Sequence, residues 1–184
     1  MDPVDYFKEN SYAHIPGLVS PDLSSFIYNY LIIKSCTNVD FDQQFKPGFD
    51  TYIRYCYGDI AIETLSSTLL EKMSFKGEIL KPHTDRPACE YSVTINFGGD
   101  PWPIYFGEFN KDNNLDNGYK MKNEISLNPG DGIVYMGEKL IHWRNKFIGD
   151  HCAQAFLHYI DSEGLHYPEH AYDGRTNIGY KNAK

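Results

Sequence analysis

The spacing of apolar positions changes character along the chain. After Ser20, the residues Leu23, Phe26, Ile27, Tyr30 and Leu31 recur at intervals of three and four, the period of one helix face. Ser20 can cap this helix, Pro21 suits its first position, and Asp22 lies at the positive end of its dipole. A second helix is predicted from about Asp59 to Met73, striped by Ile62, Leu65, Leu69, Leu70 and Met73. Upstream, no Gly or Pro interrupts Val4 to Ile15, and the Pro16-Gly17 turn ends that segment. Beyond Met73 the period shortens to two. From Glu90 to Phe97, the residues Tyr91, Val93, Ile95 and Phe97 fall on one face of a predicted strand, and Ser92, Thr94 and Asn96 on the other. Trp102–Phe109 reads as another strand after the Gly98-Gly99-Asp100-Pro101 turn. Ile125–Leu127 and Ile133–Met136 flank the turn Asn128-Pro129-Gly130-Asp131-Gly132, and Ala153–Ile160 is a last apolar strand. Asp112–Gly118 is a polar loop. Helices first and short strands afterwards predict an α+β protein built on an antiparallel sandwich or barrel.

Composition narrows the function classes. A chain of 184 residues is one domain's worth and can bury a core without disulfides. Its formal net charge of -8 disfavours a nucleic-acid footprint, which needs clustered Lys and Arg. No apolar run of about 18 residues offers a membrane-spanning helix. The acidic start, Met1-Asp2-Pro3-Val4-Asp5, does not read as a secretory signal. Cys36, Cys56, Cys89 and Cys152 are scattered and form no Cys-x-x-Cys pair, so reduced thiols and a cytoplasmic protein are expected.

The chemistry concentrates in His83-Thr84-Asp85 and His142. On an extended segment, residues two apart point to the same side, so His83 and Asp85 can aim at one point. His142 comes much later, after the strand Ile133–Met136, with room for intervening strands. Two imidazoles and a carboxylate can fill one face of an octahedral ion and leave the opposite positions open, as non-haem Fe(II) oxygenases require. A His-x-Asp can equally be a surface turn or a hydrogen-bonded pair, and His142 a core histidine. His158, within the last apolar strand, is read as a core histidine.

The stretch Gly77-Glu78-Ile79-Leu80-Lys81-Pro82-His83-Thr84-Asp85-Arg86 resembles the metal-binding segment of the 2-oxoglutarate/Fe(II)-dependent dioxygenases, with the prolyl 4-hydroxylase-like branch the nearest. Leu127-Asn128-Pro129-Gly130-Asp131-Gly132 is similar to the turn before that family's distal-histidine strand, and Gly137–Arg144 carries His142 in the fitting place. The resemblance covers most of residues 50–184. It implies a double-stranded β-helix, a jelly-roll or cupin-like barrel, with N-terminal helices packed outside. Residues 1–184 would be a single dioxygenase domain: 1–75 mainly helical support, 76–165 the barrel core and 166–184 a C-terminal tail. It further implies Fe(II) held by His83, Asp85 and His142, with 2-oxoglutarate and O2 as cosubstrates. The reaction implied is hydroxylation of a C–H bond in a small-molecule or peptidyl substrate, a prolyl residue or free proline, releasing succinate and CO2.

The far carboxylate of 2-oxoglutarate needs a buried counter-charge, and the fork of an arginine fits it best. The resemblance places a basic residue where this chain has His151, Cys152, Ala153 and Gln154. Arg144, two positions after His142 and on the same strand face, is the expected substitute. A structural ion pair is its alternative role, and Lys146, His151 and Gln154 are the other donors. Asn96 occupies a position where the branch has a cosubstrate-contacting tyrosine; alternatively Asn96, Ser92 and Thr94 form the solvated face of a half-exposed strand. Arg86 is expected to pair with Glu90, Trp102 and Tyr105 to pack, and Trp143 to point away from His142. The tail Tyr172–Arg175 is given no chemistry. A competing class is a cupin-like barrel that binds a metal and a small ligand without oxidation; Zn hydrolysis at the same triad is a further option.

Overall fold

A single left-handed residue, Ser11 (φ 63°), divides the opening segment into α1 (Pro3–Asn10) and β1 (Tyr12–Ile15) in the computed structural model, which describes residues 2–36, 77, 79–109 and 119–170. The Asp2 carboxylate caps α1 by accepting the Val4 N–H at 2.8 Å. Helix α2 (Pro21–Cys36) begins as the sequence predicts, with the Leu23 N–H donating to Ser20 Oγ at 3.3 Å. Eight strands are described: β1, β2 (Leu80–His83), β3 (Tyr91–Gly99), β4 (Ile104–Phe109), β5 (Tyr119–Ile125), β6 (Gly132–Tyr135), β7 (Ile141–Arg144) and β8 (Cys152–Tyr159). The predicted helix Asp59–Met73, the loop Asp112–Gly118 and the tail Tyr172–Arg175 lie outside the described residues.

The strands form two antiparallel four-stranded sheets, in the orders β1-β6-β3-β8 and β2-β7-β4-β5. Their inner faces meet in a core of Tyr12, Ile133 and Tyr135 from the first sheet and Ile104 and Phe106 from the second. Tyr12 stacks on Phe106 with ring centroids 5.0 Å apart. Trp102, Phe147 and Cys152 form a second buried cluster. The Asn128–Gly132 turn is pinned by Asp131, whose carboxylate accepts the N–H groups of Gly17 and Asn128 at 2.9 and 3.0 Å. This is the two-sheet arrangement of a jelly roll.

Both faces of β3 are covered. Ile95 and Phe97 pack with Leu31 of α2 and with Ala153 and Ala155 of β8, so α2 lies against the outer face of the sheet. Ser92, Thr94 and Asn96 are at most 5% exposed. The solvated-face reading of these three residues is therefore corrected: the polar face turns inward. The apolar face of α2 is also redrawn. Ser24 and Leu31 are buried, whereas Leu23, Phe26 and Tyr30 of the predicted stripe are exposed. The buried hydroxyl of Ser24 donates to the Phe97 carbonyl at 3.0 Å, which sets the rotation of the helix on the sheet.

Candidate metal centre

Strand β2 ends on His83, and the β2–β7 register sets His83 directly opposite His142. The two rings lie 4.3 Å apart between centroids. Asp85 follows two residues later, with its main-chain N–H held by the Gly137 carbonyl at 2.8 Å. Its Oδ1 is 3.6 Å from Nε2 of His83 and 3.7 Å from Nε2 of His142. One ligand atom from each residue falls within 4.8 Å of the other two, so a single ion can reach all three. Two distant stretches of chain, His83–Asp85 and the start of β7, thus converge on one point.

The hydrogen bonds around the triad prepare it for a cation. Nδ1 of His83 lies 2.7 Å from the Lys81 carbonyl, and Nδ1 of His142 lies 2.9 Å from the Leu140 carbonyl. A carbonyl only accepts, so each Nδ1 carries the hydrogen and each Nε2 keeps its lone pair for the centre. The second oxygen of Asp85, Oδ2, accepts the Ser92 hydroxyl at 2.9 Å. Gly137 makes room for this carboxylate: a Cβ there would collide with Asp85 Oδ2 and crowd Ser92 Oγ.

The two imidazoles titrate in opposite directions. His83, partly exposed, is raised above its ordinary value, chiefly by its contact with the Asp85 carboxylate. His142, 2% exposed, is lowered because burial disfavours its charged form. Burial pushes the Asp85 carboxyl up, but His83 and then His142 and Ser92 outweigh it and hold the group below the ordinary range.

Arg144 lies on the same face of β7 as His142, and is 1% exposed. Its Nη1 donates to the Trp102 carbonyl and its guanidinium carbon lies 5.2 Å from the Trp102 ring centroid. Its Nη2 is buried with no hydrogen-bond partner among the described residues, as is Oε1 of Gln154. Burial pushes the guanidinium down to about 10, so it remains charged at neutral pH. No ion pair of Arg144 occurs among the described residues. A buried cation with an unused donor is costly unless an anion completes it.

The other candidates fall differently. Asn96 is interior, but its Nδ2 donates to the Leu127 carbonyl at 2.7 Å and its Oδ1 accepts the Gly98 N–H at 3.2 Å. Its side chain therefore braces the end of β3. Gln154 pairs with Asn96 across the β3–β8 ladder and is interior. His151 is bonded to Tyr28 of α2 at 2.5 Å, on the helix side of the sheet, and Lys146 is exposed. Trp143 points away from His142, as predicted, and stacks on Tyr105. His158, read from the sequence as a core histidine, is half-buried, and its Nδ1 lies 3.0 Å from Ser92 Oγ. Sequence reasoning missed Gly137 and Tyr135. The Tyr135 ring lies 4.8 Å from the His142 ring, and burial and the Asp85 charge raise its phenol. The one signal for Tyr135 was its place on the strand before His142.

No family model matches the chain, and no curated protein matches it in sequence. Solved structures do match in fold. The chain is similar to the epimerase SnoN in complex with Fe3+, alpha ketoglutarate and nogalamycin RO, with a TM-score of 0.50 and 11% identity over 84% of this chain and 80% of that one. It is also similar to a prolyl-4-hydroxylase from Pseudomonas putida, with a TM-score of 0.48 and 13% identity over 86% of this chain and 93% of that one. EvdO2 from Micromonospora carbonacea var. aurantiaca, complexed with 2-oxoglutarate, gives 0.46 and 10% over 84% and 87%. The protein shares its fold with SnoN, a non-haem, alpha-ketoglutarate-dependent epimerase.

Proposed function

We propose that the protein is an Fe(II)- and 2-oxoglutarate-dependent oxygenase that hydroxylates a C–H bond, and that residues 1–184 form a single domain on a double-stranded β-helix. The observation that carries this reading is a pairing within β7: the His142 imidazole, placed where it could ligate a metal with His83 and Asp85, and, two residues on, the buried Arg144, whose Nη2 has no partner among the described residues. Along a strand this separation is about 7 Å. A molecule with a chelating end and an anionic end suits that span, and 2-oxoglutarate is one.

The donor set fits the metal. His83, Asp85 and His142 would hold Fe(II) through Nε2, Oδ1 and Nε2. Iron so held supplies the oxidation of a C–H bond at the expense of 2-oxoglutarate and O2, with succinate and CO2 as co-products. The rest falls to the chain. The Lys81 and Leu140 carbonyls hold both imidazoles in the metal-binding tautomer. Arg144 binds the distal carboxylate, with the Trp102 ring and carbonyl fixing the direction of its planar guanidinium. Gln154 borders the same interior, and Asn96 shapes its end, with one amide hydrogen beyond the one given to Leu127. Phe106 and Tyr135, packed near the His142 ring, exclude water from one side of the centre. The substrate class proposed is a prolyl residue or free proline, supported by the resemblance of the His83–Asp85 segment.

The test is a substrate screen read as succinate released under air, with Fe(II), 2-oxoglutarate and either proline, prolyl peptides or other amino acids. Substrate-dependent succinate above the uncoupled background is expected. A purified, metal-loaded protein that forms none with or without substrate contradicts the oxygenase reading and favours non-oxidative ligand binding.

A further inference from the structure

We propose that Ser92 and His158 are positioning residues for Asp85: together they restrict its carboxylate to one metal-facing oxygen. The proposal rests on the reading of His83, Asp85 and His142 as a metal centre. Ser92 Oγ lies 2.9 Å from Asp85 Oδ2 and 3.0 Å from His158 Nδ1. A serine hydroxyl has one hydrogen, and an ionised carboxylate only accepts. The hydroxyl hydrogen therefore goes to Oδ2, and the lone pair on Oγ receives Nδ1–H of His158. The direction of every proton in the chain His158–Ser92–Asp85 is thereby fixed.

Three separate pieces of backbone build this chain. Asp85 follows β2, Ser92 lies on β3, and His158 stands opposite Ser92 in the β3–β8 register. Ser92 is 1% exposed, so water competes little for its hydroxyl. With Oδ2 engaged, Oδ1 alone is turned toward the two Nε2 atoms. The consequence is a matter of counting. Three ligand atoms leave half of an octahedral ion open, whereas a carboxylate using both oxygens takes one more position. A cosubstrate that binds through two atoms, plus O2, needs all three open positions. The hydroxyl thus serves the openness of the site as well as its affinity.

Asp85, Cys89 and His158 also place potential ligand atoms within 4.8 Å of one another. The Ser92 hydroxyl already links two of those three residues, which favours a hydrogen-bond chain over a second ion.

The experiment is a Co(II) titration of the whole protein by calorimetry and visible absorption, with circular dichroism as the fold check. Wild type should bind one ion. Ser92→Ala should bind it about 10–100-fold more weakly, as loss of an outer-shell partner does, with a changed Co(II) spectrum. Ser92→Thr, which keeps the hydroxyl, should restore both. His158→Phe removes the donor while keeping bulk, and should shift affinity and spectrum in the same direction as Ser92→Ala by a smaller amount; it carries the test should Ser92→Ala fail to fold. Wild-type affinity and spectrum in folded Ser92→Ala, or in His158→Phe where that variant carries the test, overturn the proposal. So does a wild type that binds two ions and falls to one on Cys89→Ser. A wild type that binds no Co(II), or His83→Ala binding as tightly as wild type, overturns the metal-centre reading itself.

Discussion

His83 and His142 face each other across the β2–β7 ladder, with ring centroids 4.3 Å apart and each Nδ1 spent on a carbonyl two residues earlier in its own chain segment. The same local device appears twice, once on each strand. It turns two Nε2 lone pairs toward the same Asp85 oxygen.

Asp85→Ala should abolish tight Fe(II) or Co(II) retention while preserving the fold, because the carboxylate is the only anionic donor of the triad. Metal content after desalting and far-ultraviolet circular dichroism check both halves. Retained stoichiometric metal would contradict the ligand assignment.

Arg144 separates a functional role from a structural one. Arg144→Met should raise the 2-oxoglutarate requirement by about one to two powers of ten, given about 1.5–3 kcal/mol for a hydrogen bond to a charged group. Stability should be unchanged or higher, since an isolated buried charge is replaced by an apolar chain of similar reach. A structural ion pair would instead cost about 3–5 kcal/mol on losing one partner. Thermal unfolding alongside 2-oxoglutarate titration distinguishes the two outcomes.

Acid should release the metal. A ligating imidazole must be neutral, so protons compete with the ion. His83, raised by Asp85, begins that competition above the ordinary histidine value of about 6.5; His142, lowered by burial, joins only at more acidic pH. Isothermal titrations across this range should show affinity falling as pH drops, first through His83.

Stability of the chelator-treated protein follows the same groups with opposite signs. The raised His83 contributes stability that is full below about 6.5 and fades as pH rises through its higher folded value. The lowered Asp85 contributes above its ordinary value and fades as pH falls through its folded one. Both are present together near about pH 5, so Asp85→Asn should destabilise more there than near about pH 8. Equal losses at the two pH values would show that the charge pair contributes nothing.

Gly137 is a steric test of the site. Gly137→Ala puts a methyl against the Asp85 carboxylate and Ser92. Overpacking of this kind costs about 1–3 kcal/mol. Metal affinity should fall along with the melting temperature, and a fall in the melting temperature alone would show that the carboxylate can move without consequence.

What the chain discloses before folding follows from which signals are local. His83 and Asp85 are readable because an extended segment sends residues two apart to one side, and Arg144 because it repeats that relation to His142. The Asn128–Gly132 turn announces itself through Pro129 and Gly130. Alternation along β3 reveals two faces but not which one is inside, and here the polar face is interior because α2 covers the apolar one. The Ser24 contact to Phe97 is non-local, so it is silent in the helical period of α2. Strand β5, Tyr-Lys-Met-Lys-Asn-Glu-Ile, borders β4 alone among the described strands and stays largely polar, which leaves its first residues with no apolar pattern. Gly137 and the Ser92–His158 contact depend on distant chain meeting, which spacing does not encode.

In the proposed function, one ion on His83, Asp85 and His142 also takes 2-oxoglutarate. Anaerobic titration of the Fe(II)-loaded protein with 2-oxoglutarate tests it most directly through the weak visible charge-transfer band of the chelate. The expected result is a band that saturates at one 2-oxoglutarate per chain, is absent in Asp85→Ala, and needs more 2-oxoglutarate in Arg144→Met. A metal-loaded wild type that develops no band at saturating 2-oxoglutarate would contradict it.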